Sequence, residues 1–212
     1  MTGIKFCGLK TREAILAAGK LQAGYIGLMM WPKSSRAITI DQAIALAAEV
    51  PGHVKTVGVF VNPSDDELKS ILTRAAIDIV QLHGDEDARR VAEIRSLFGL
   101  PIIKAVRVAT KDDLAPVESL ESAADIILFD TKVDSLMPGG TGQTFDWQIL
   151  ASRKSRKPWM LSGGLNAENI GRALSILKPD AVDVSSGIEE TAGVKNISKM
   201  ENFAAAVTAA KY

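Results

Sequence analysis

Four side chains in this sequence stand where short apolar runs end, and each is of a type that can do chemistry. Cys7 closes the first run, in Lys5-Phe6-Cys7-Gly8. A single cysteine can form no internal disulfide, so it serves either as a small buried hydrophobe or, as a thiolate, as a base or nucleophile. Asp130 follows Ile126-Ile127-Leu128-Phe129 and precedes a Gly- and Pro-rich stretch, 131–144, in which no helix begins. Helix capping therefore does not account for it, and it is a candidate general acid. Arg36, in Pro32-Lys33-Ser34-Ser35-Arg36, is either a solvated charge or a planar fork for a substrate carboxylate. His83, in Gln81-Leu82-His83-Gly84, is either a hydrogen-bonded structural residue or a pocket group.

Two further run ends suit an anion. Leu161-Ser162-Gly163-Gly164-Leu165 leads toward a helix expected from Asn166, and Asp183-Val184-Ser185-Ser186-Gly187 leads toward Ile188. Paired glycines and serines at helix starts present backbone N–H groups and hydroxyls. Each pair read alone is equally a turn, but together Gly163, Gly164, Ser185, Ser186 and Gly187 point to a phosphate site. The stretch Pro138-Gly139-Gly140-Thr141-Gly142 has the composition and length of an active-site lid. His53, His83 and Cys7 lack ligand spacing, so no metal site is expected. Neither glycine-rich nucleotide fingerprint occurs, so no cofactor is expected. Trp31, Trp147 and Trp159 are scattered and read as packing residues.

The elements that would position these groups alternate along the chain. Eight strand-like runs occupy 4–7, 25–30, 56–61, 77–82, 102–108, 126–129, 159–161 and 181–184. Segments with helical spacing follow them at 11–21, 41–49, 64–75, 87–98, 111–123, 145–152, 167–177 and 198–211. Thr39 is a candidate N-cap, and Ser64 with Glu67 stands in capping-box register. Several runs are apolar throughout, as expected of parallel strands covered on both faces. Eight strand–helix units without a linker predict an α/β fold, a (β/α)₈ TIM barrel spanning 1–212 as one domain, over an open doubly wound sheet. In such a barrel all the run ends share one rim.

The chain has 212 residues with 47% hydrophobic and 24% charged side chains, enough to bury a sizeable core. Lys+Arg and Asp+Glu are both 25, so no one-signed field exists for nucleic acid or an anionic membrane. No apolar run approaches the ~20 residues of a membrane span, and no signal peptide is seen. A cytoplasmic protein acting on a small molecule is the expectation.

Taken together, the motifs resemble phosphoribosylanthranilate isomerases. The resemblance runs in order through Lys5-Phe6-Cys7-Gly8, Lys33-Ser34-Ser35-Arg36, Val57-Gly58-Val59-Phe60, Gln81-Leu82-His83-Gly84 and Asp130. It continues through Gly139-Gly140-Thr141-Gly142, Phe145-Asp146-Trp147, Leu161-Ser162-Gly163-Gly164-Leu165, Asp183-Val184-Ser185-Ser186-Gly187 and Gly193-Val194-Lys195. It implies a (β/α)₈ barrel and a cofactor-free Amadori rearrangement of N-(5-phosphoribosyl)anthranilate, in tryptophan biosynthesis. It further implies Cys7 as general base, Asp130 as general acid and Arg36 on the anthranilate carboxylate. His83 and Asp183 would line the pocket, the glycine and serine segments would hold the phosphate, and the protein would be a monomer or homodimer. The chain departs from the family's usual pattern at Met29-Met30-Trp31, Ser35, Ala37, Ala192 and Asn196, near the expected ring pocket.

Other readings differ in what they require. An indole-glycerol-phosphate synthase-like barrel wants a lysine acid and a longer leading segment, and a ribulose-phosphate epimerase wants metal-binding histidines. A non-catalytic phosphosugar-binding protein would have no use for both Cys7 and Asp130.

Overall fold

The computed structural model describes residues 2–132 and 144–210. The expected lid, Gly139 to Gly142, lies outside the described residues. Eight parallel strands close into a barrel in sequence order: β1 Gly3–Cys7, β2 Tyr25–Met29, β3 Lys55–Phe60, β4 Ile79–Leu82, β5 Ile102–Val108, β6 Ile126–Thr131, β7 Trp159–Leu161 and β8 Ala181–Val184. β8 pairs with β1, Lys5 opposite Asp183, which removes both sheet edges. The (β/α)₈ expectation is therefore met, and the open sheet is excluded.

The helices begin where the local chemistry says they should. Thr11 caps α1 (Arg12–Lys20), and Asp87 caps α4 (Ala88–Phe98). Capping boxes start α2 (Ile40–Ala47), from Thr39 and Gln42, and α3 (Asp65–Leu72), from Ser64 and Glu67. The expected helix 111–123 is broken at Pro116 into a 3₁₀ turn, Lys111–Leu114, and α5, Val117–Ala123. α6 is one turn, Gln148–Ala151; α7 is Ile170–Ile176 and α8 is Ile197–Ala209. Between β8 and α8 the chain forms a small antiparallel hairpin, β9 Glu189–Thr191 with β10 Val194–Lys195. Nothing in the hydrophobic pattern announced it, because it packs on the rim rather than in a core.

Period-two alternation splits each strand between two cores. Outward residues such as Phe6, Ile26, Val80, Phe129 and Val182 pack against the helices. Inward residues Val57, Val59, Ile79, Ile103, Ala105, Leu128, Met160 and Ala181 fill the barrel together with Cys7. Above this apolar plug, on the carboxyl-end rim, the inward positions turn polar.

Candidate active site

Nine of the ten nominated residues line one cleft at the carboxyl ends of the strands: Cys7, Arg36, His83, Asp130, Gly163, Gly164, Asp183, Ser185 and Ser186. The exception is Gly187, which lies behind the rim, where a Cβ would meet the carbonyl oxygen of Leu165. Its role is to let the seventh and eighth loops pack together. Met29, Trp31, Val59, Val61 and Leu165 supply an apolar wall. Trp31 is thus a pocket residue, not the packing residue the sequence suggested.

Cys7 is the last inward position of β1 and is buried, with its sulfur facing the bare backbone of Gly27 on β2. A Cβ there would stand 2.7 Å from Sγ and 3.2 Å from Lys5 Nζ. Lys5, two residues earlier, points inward by the same alternation and is fully buried. Its ammonium donates to Asp183 Oδ1 at 2.7 Å, and Ser162 Oγ donates to the other carboxylate oxygen at 3.1 Å. Burial pulls the Lys5 pKa down, but the charge of Asp183 and its hydrogen bond oppose this and leave it raised. For the thiol, burial wins. Desolvation pushes the Cys7 pKa up, and the nearby Lys5 and Lys195 charges only partly oppose it. The unliganded site therefore holds a thiol, and a positive surrounding alone does not make it a thiolate.

Asp130 was expected just beyond β6 but lies within it, because pairing with β5 continues through Arg107↔Asp130 and Val108↔Thr131. Its Oδ1 accepts from the Thr131 N–H at 2.8 Å, and its Oδ2 lies 3.0 Å from His83 Nε2. The other ring nitrogen, Nδ1, is 2.9 Å from Nε2 of the buried Gln81. With the amide placed this way its N–H donates to Nδ1, and the tautomer that matches it carries its proton on Nε2, toward Asp130.

Arg36 is buried, and Glu189 of the hairpin takes its Nε at 2.7 Å and its Nη2 at 2.8 Å. The side of the guanidinium is thus occupied. Its end-on edge, with Nη1 bonded to nothing among the described residues, remains for a carboxylate. Lys195 Nζ also bonds Glu189 at 2.7 Å and the Ser185 carbonyl at 2.9 Å. Burial raises the Glu189 carboxyl, but hydrogen bonds from Arg36 and Lys195 and their charges hold it below the usual range. Glu189 escaped the sequence reading, since a surface-like Glu-Glu-Thr carries no signal until the hairpin folds over Arg36, and Lys195 entered it only as the end of Gly193-Val194-Lys195, with no role assigned.

The segments expected to bind an anion differ in detail from expectation. α7 starts four residues after Asn166, whose side chain instead caps a turn by accepting from Glu168 and Asn169 N–H. Ser186–Ile188 is a single 3₁₀ turn. The N–H groups of Gly163 and Gly164 donate to no atom among the described residues and stand in the cleft wall. Also among the described residues, no cluster of three metal-ligating side chains occurs, and no helix is long and apolar enough to cross a membrane.

The chain matches the family model for N-(5'-phosphoribosyl)anthranilate (PRA) isomerase over residues 4–206. It is 43% identical over 208 residues to the N-(5'-phosphoribosyl)anthranilate isomerase of Paracoccus denitrificans, covering 97% of each chain. With that of Rhizobium johnstonii it shares 44% over 206 residues, covering 96% of this chain and 93% of the other. The crystal structure of the isomerase from Thermotoga maritima superposes with a TM-score of 0.90 at 33% identity, covering 98% of this chain and 99% of that one. A crystal structure of a phosphoribosyl anthranilate isomerase in complex with reduced 1-(o-carboxyphenylamino)-1-deoxyribulose 5-phosphate superposes at 0.85, with 31% identity and the same coverage. The barrel, the rim chemistry and these full-length similarities together establish that this chain belongs to the N-(5'-phosphoribosyl)anthranilate isomerase family.

Proposed function

We propose that Cys7 is the general base and Asp130 the general acid of the family's reaction. That reaction, an isomerisation in tryptophan biosynthesis, converts N-(5-phosphoribosyl)anthranilate to 1-(2-carboxyphenylamino)-1-deoxyribulose 5-phosphate. The observation that carries the assignment is that the thiol and the carboxyl come from opposite parts of the barrel wall, β1 and β6, yet line one cleft. Asp130 protonates the furanose ring oxygen while the anthranilate nitrogen's lone pair opens the ring to a Schiff base. Cys7, once its thiol has given its proton to solvent, removes the proton from C2′ as a thiolate, and the resulting enolamine tautomerises to the ketose. No step draws on a cofactor.

The geometry supports a placement for the rest of the substrate. The phosphate sits against the unbonded N–H groups of Gly163 and Gly164 and the Ser185 and Ser186 hydroxyls, with Gly187 shaping the loop. The carboxylate meets the end-on edge of Arg36, and Met29, Trp31 and Val59 flank the ring. Asp183 acts from beneath, by fixing Lys5. The same reading makes the protein a cytoplasmic enzyme acting as a monomer or homodimer; a Thermotoga maritima relative is described as dimeric.

The test is turnover of freshly made substrate by Cys7→Ser and Asp130→Asn. Each should lose ~10²-fold or more in kcat, with KM changed little. Near wild-type kcat in either variant removes that residue from its role.

A further inference from the structure

We propose that Gln81 is a positioning residue that governs whether Asp130 carries the proton it must donate, acting through the two nitrogens of His83. This rests on the assignment of Asp130 as the acid. In the unliganded arrangement the chain reads Gln81 Nε2–H to His83 Nδ1, then His83 Nε2–H to the Asp130 carboxylate. A carboxylate held by that N–H and by the Thr131 N–H has no proton to give. The forward reaction needs the opposite polarity.

The means of reversing it is built into Gln81. Its side chain is fully buried inside the barrel, and its Oε1 has no hydrogen-bond partner among the described residues. Nothing beyond His83 therefore dictates which end of the amide faces the ring. A half-turn of the amide presents Oε1 to Nδ1, which must then be an N–H donor. One proton enters the His83–Asp130 pair from solvent. It resides on Nδ1 while the Nε2 proton passes to Asp130, giving a carboxylic acid whose O–H faces Nε2. The amide rotation itself moves no proton, so the count balances at one gained. After ring opening Asp130 is again a carboxylate and His83 still holds its Nδ1 proton; that proton exchanges with solvent for one on Nε2, and the amide returns.

A leucine at this position would give the barrel equal packing, so burial alone does not explain an amide with one unbonded end. The charged groups facing the pair are few. Cys7 and Asp183 face it across the cleft from β1 and β8, and Arg36 from the loop after β2. From β5, Arg107 lies opposite Asp130 in register but turns to Asp85, and the buried Lys104 bonds the Leu82 and Gly84 carbonyls on either side of His83 while paired with Glu86. β3 presents Val59 and Val61, and the end of β7 presents Ser162, none of which titrates in this range.

Two variants separate this role from a structural one. Gln81→Glu offers Nδ1 a permanent acceptor, and Gln81→Leu offers none. The alkaline limb of the kcat–pH profile should move up in the first and down in the second, each by roughly one unit, about the worth of one charge-assisted hydrogen bond. KM should stay within about threefold. Ring ¹⁵N spectra give an activity-independent reading, simplified because His53 is the only other histidine. Unliganded wild-type protein at pH 8 should show His83 protonated on Nε2 alone, and Gln81→Glu should show protonation on Nδ1 as well. A limb unmoved in both variants, or the same nitrogen protonated in Gln81→Glu as in wild type, overturns the proposal. Should the variants not fold, acid titration of the wild type decides. His83 Nδ1 and the Gln81 side-chain amide must shift at one shared midpoint, and separate midpoints overturn it. Full turnover by Asp130→Asn alongside the Gln81→Glu ring signal would instead refute the acid assignment alone.

Discussion

Lys5 and Asp183 form a buried ion pair, Nζ to Oδ1 2.7 Å, whose cation borders the same point of Gly27 as the sulfur of Cys7. The pair is closed across the β1–β8 seam, between residues 178 positions apart. It ties barrel closure to the electrostatics of Cys7. Without Lys5, both burial and the Asp183 charge would push the thiol pKa further up.

Lys5→Met should therefore damage both properties. Leaving Asp183 buried without its partner costs about 3–5 kcal/mol in stability, and turnover should fall with it. The double variant Lys5→Met with Asp183→Leu should recover most of the stability and none of the activity. Denaturant unfolding and kcat on the two variants check this; a stable, inactive single variant would show that the pair serves chemistry alone.

The raised Cys7 pKa has a direct chemical signature. Alkylation by iodoacetamide in the absence of substrate should rise about tenfold per pH unit, without a plateau up to the ordinary cysteine value of about 8.5. Inorganic phosphate and product should slow it by occupying the cleft. A plateau near pH 7 would mean the unliganded site already holds a thiolate.

Gly164→Asp places a carboxylate in the wall where the N–H groups of Gly163 and Gly164 face the cleft. Its backbone φ of 63° is one that aspartate tolerates better than most side chains, so the fold should survive. KM should rise at least tenfold through repulsion of the phosphate, with a smaller change in kcat. Steady-state kinetics with circular dichroism as the folding control decide it, and an unchanged KM in folded protein would move the phosphate elsewhere.

Glu189 links the hairpin to acid stability. Its folded pKa lies below the unfolded value of about 4.3, so the carboxylate's contribution is fully present above that value and is lost as pH falls through the folded pKa. Melting temperatures of wild type and Glu189→Gln should differ most at neutral pH and converge as pH drops below about 4. A gap that stays constant from pH 7 to 3 would exclude titration of Glu189 as the cause. The same variant should raise KM, since it loosens the hold on Arg36.

The strand runs were legible because both faces of the strands are largely buried, which leaves unbroken apolar stretches at 126–129 and Trp159–Leu161. The capping boxes at Thr39 and Ser64 were legible because they are local. The 3₁₀ break at Pro116 and the late start of α7 were missed because helix periodicity continued through residues whose backbone could not follow it.

By itself the sequence determined the eight-unit barrel and put a thiol, a carboxyl and two glycine–serine turns at strand ends, since hydrophobic patterning and barrel geometry place strand ends on one rim. Only the tertiary structure decided what those groups face. Lys5 turns inward to Asp183, Glu189 takes the side of Arg36, and Gln81 reaches Asp130 through His83. These partners belong to different strands and loops. Their contacts are set by the register with which the strands pair and by the closure of β8 on β1, and neither is written in any local stretch of the chain.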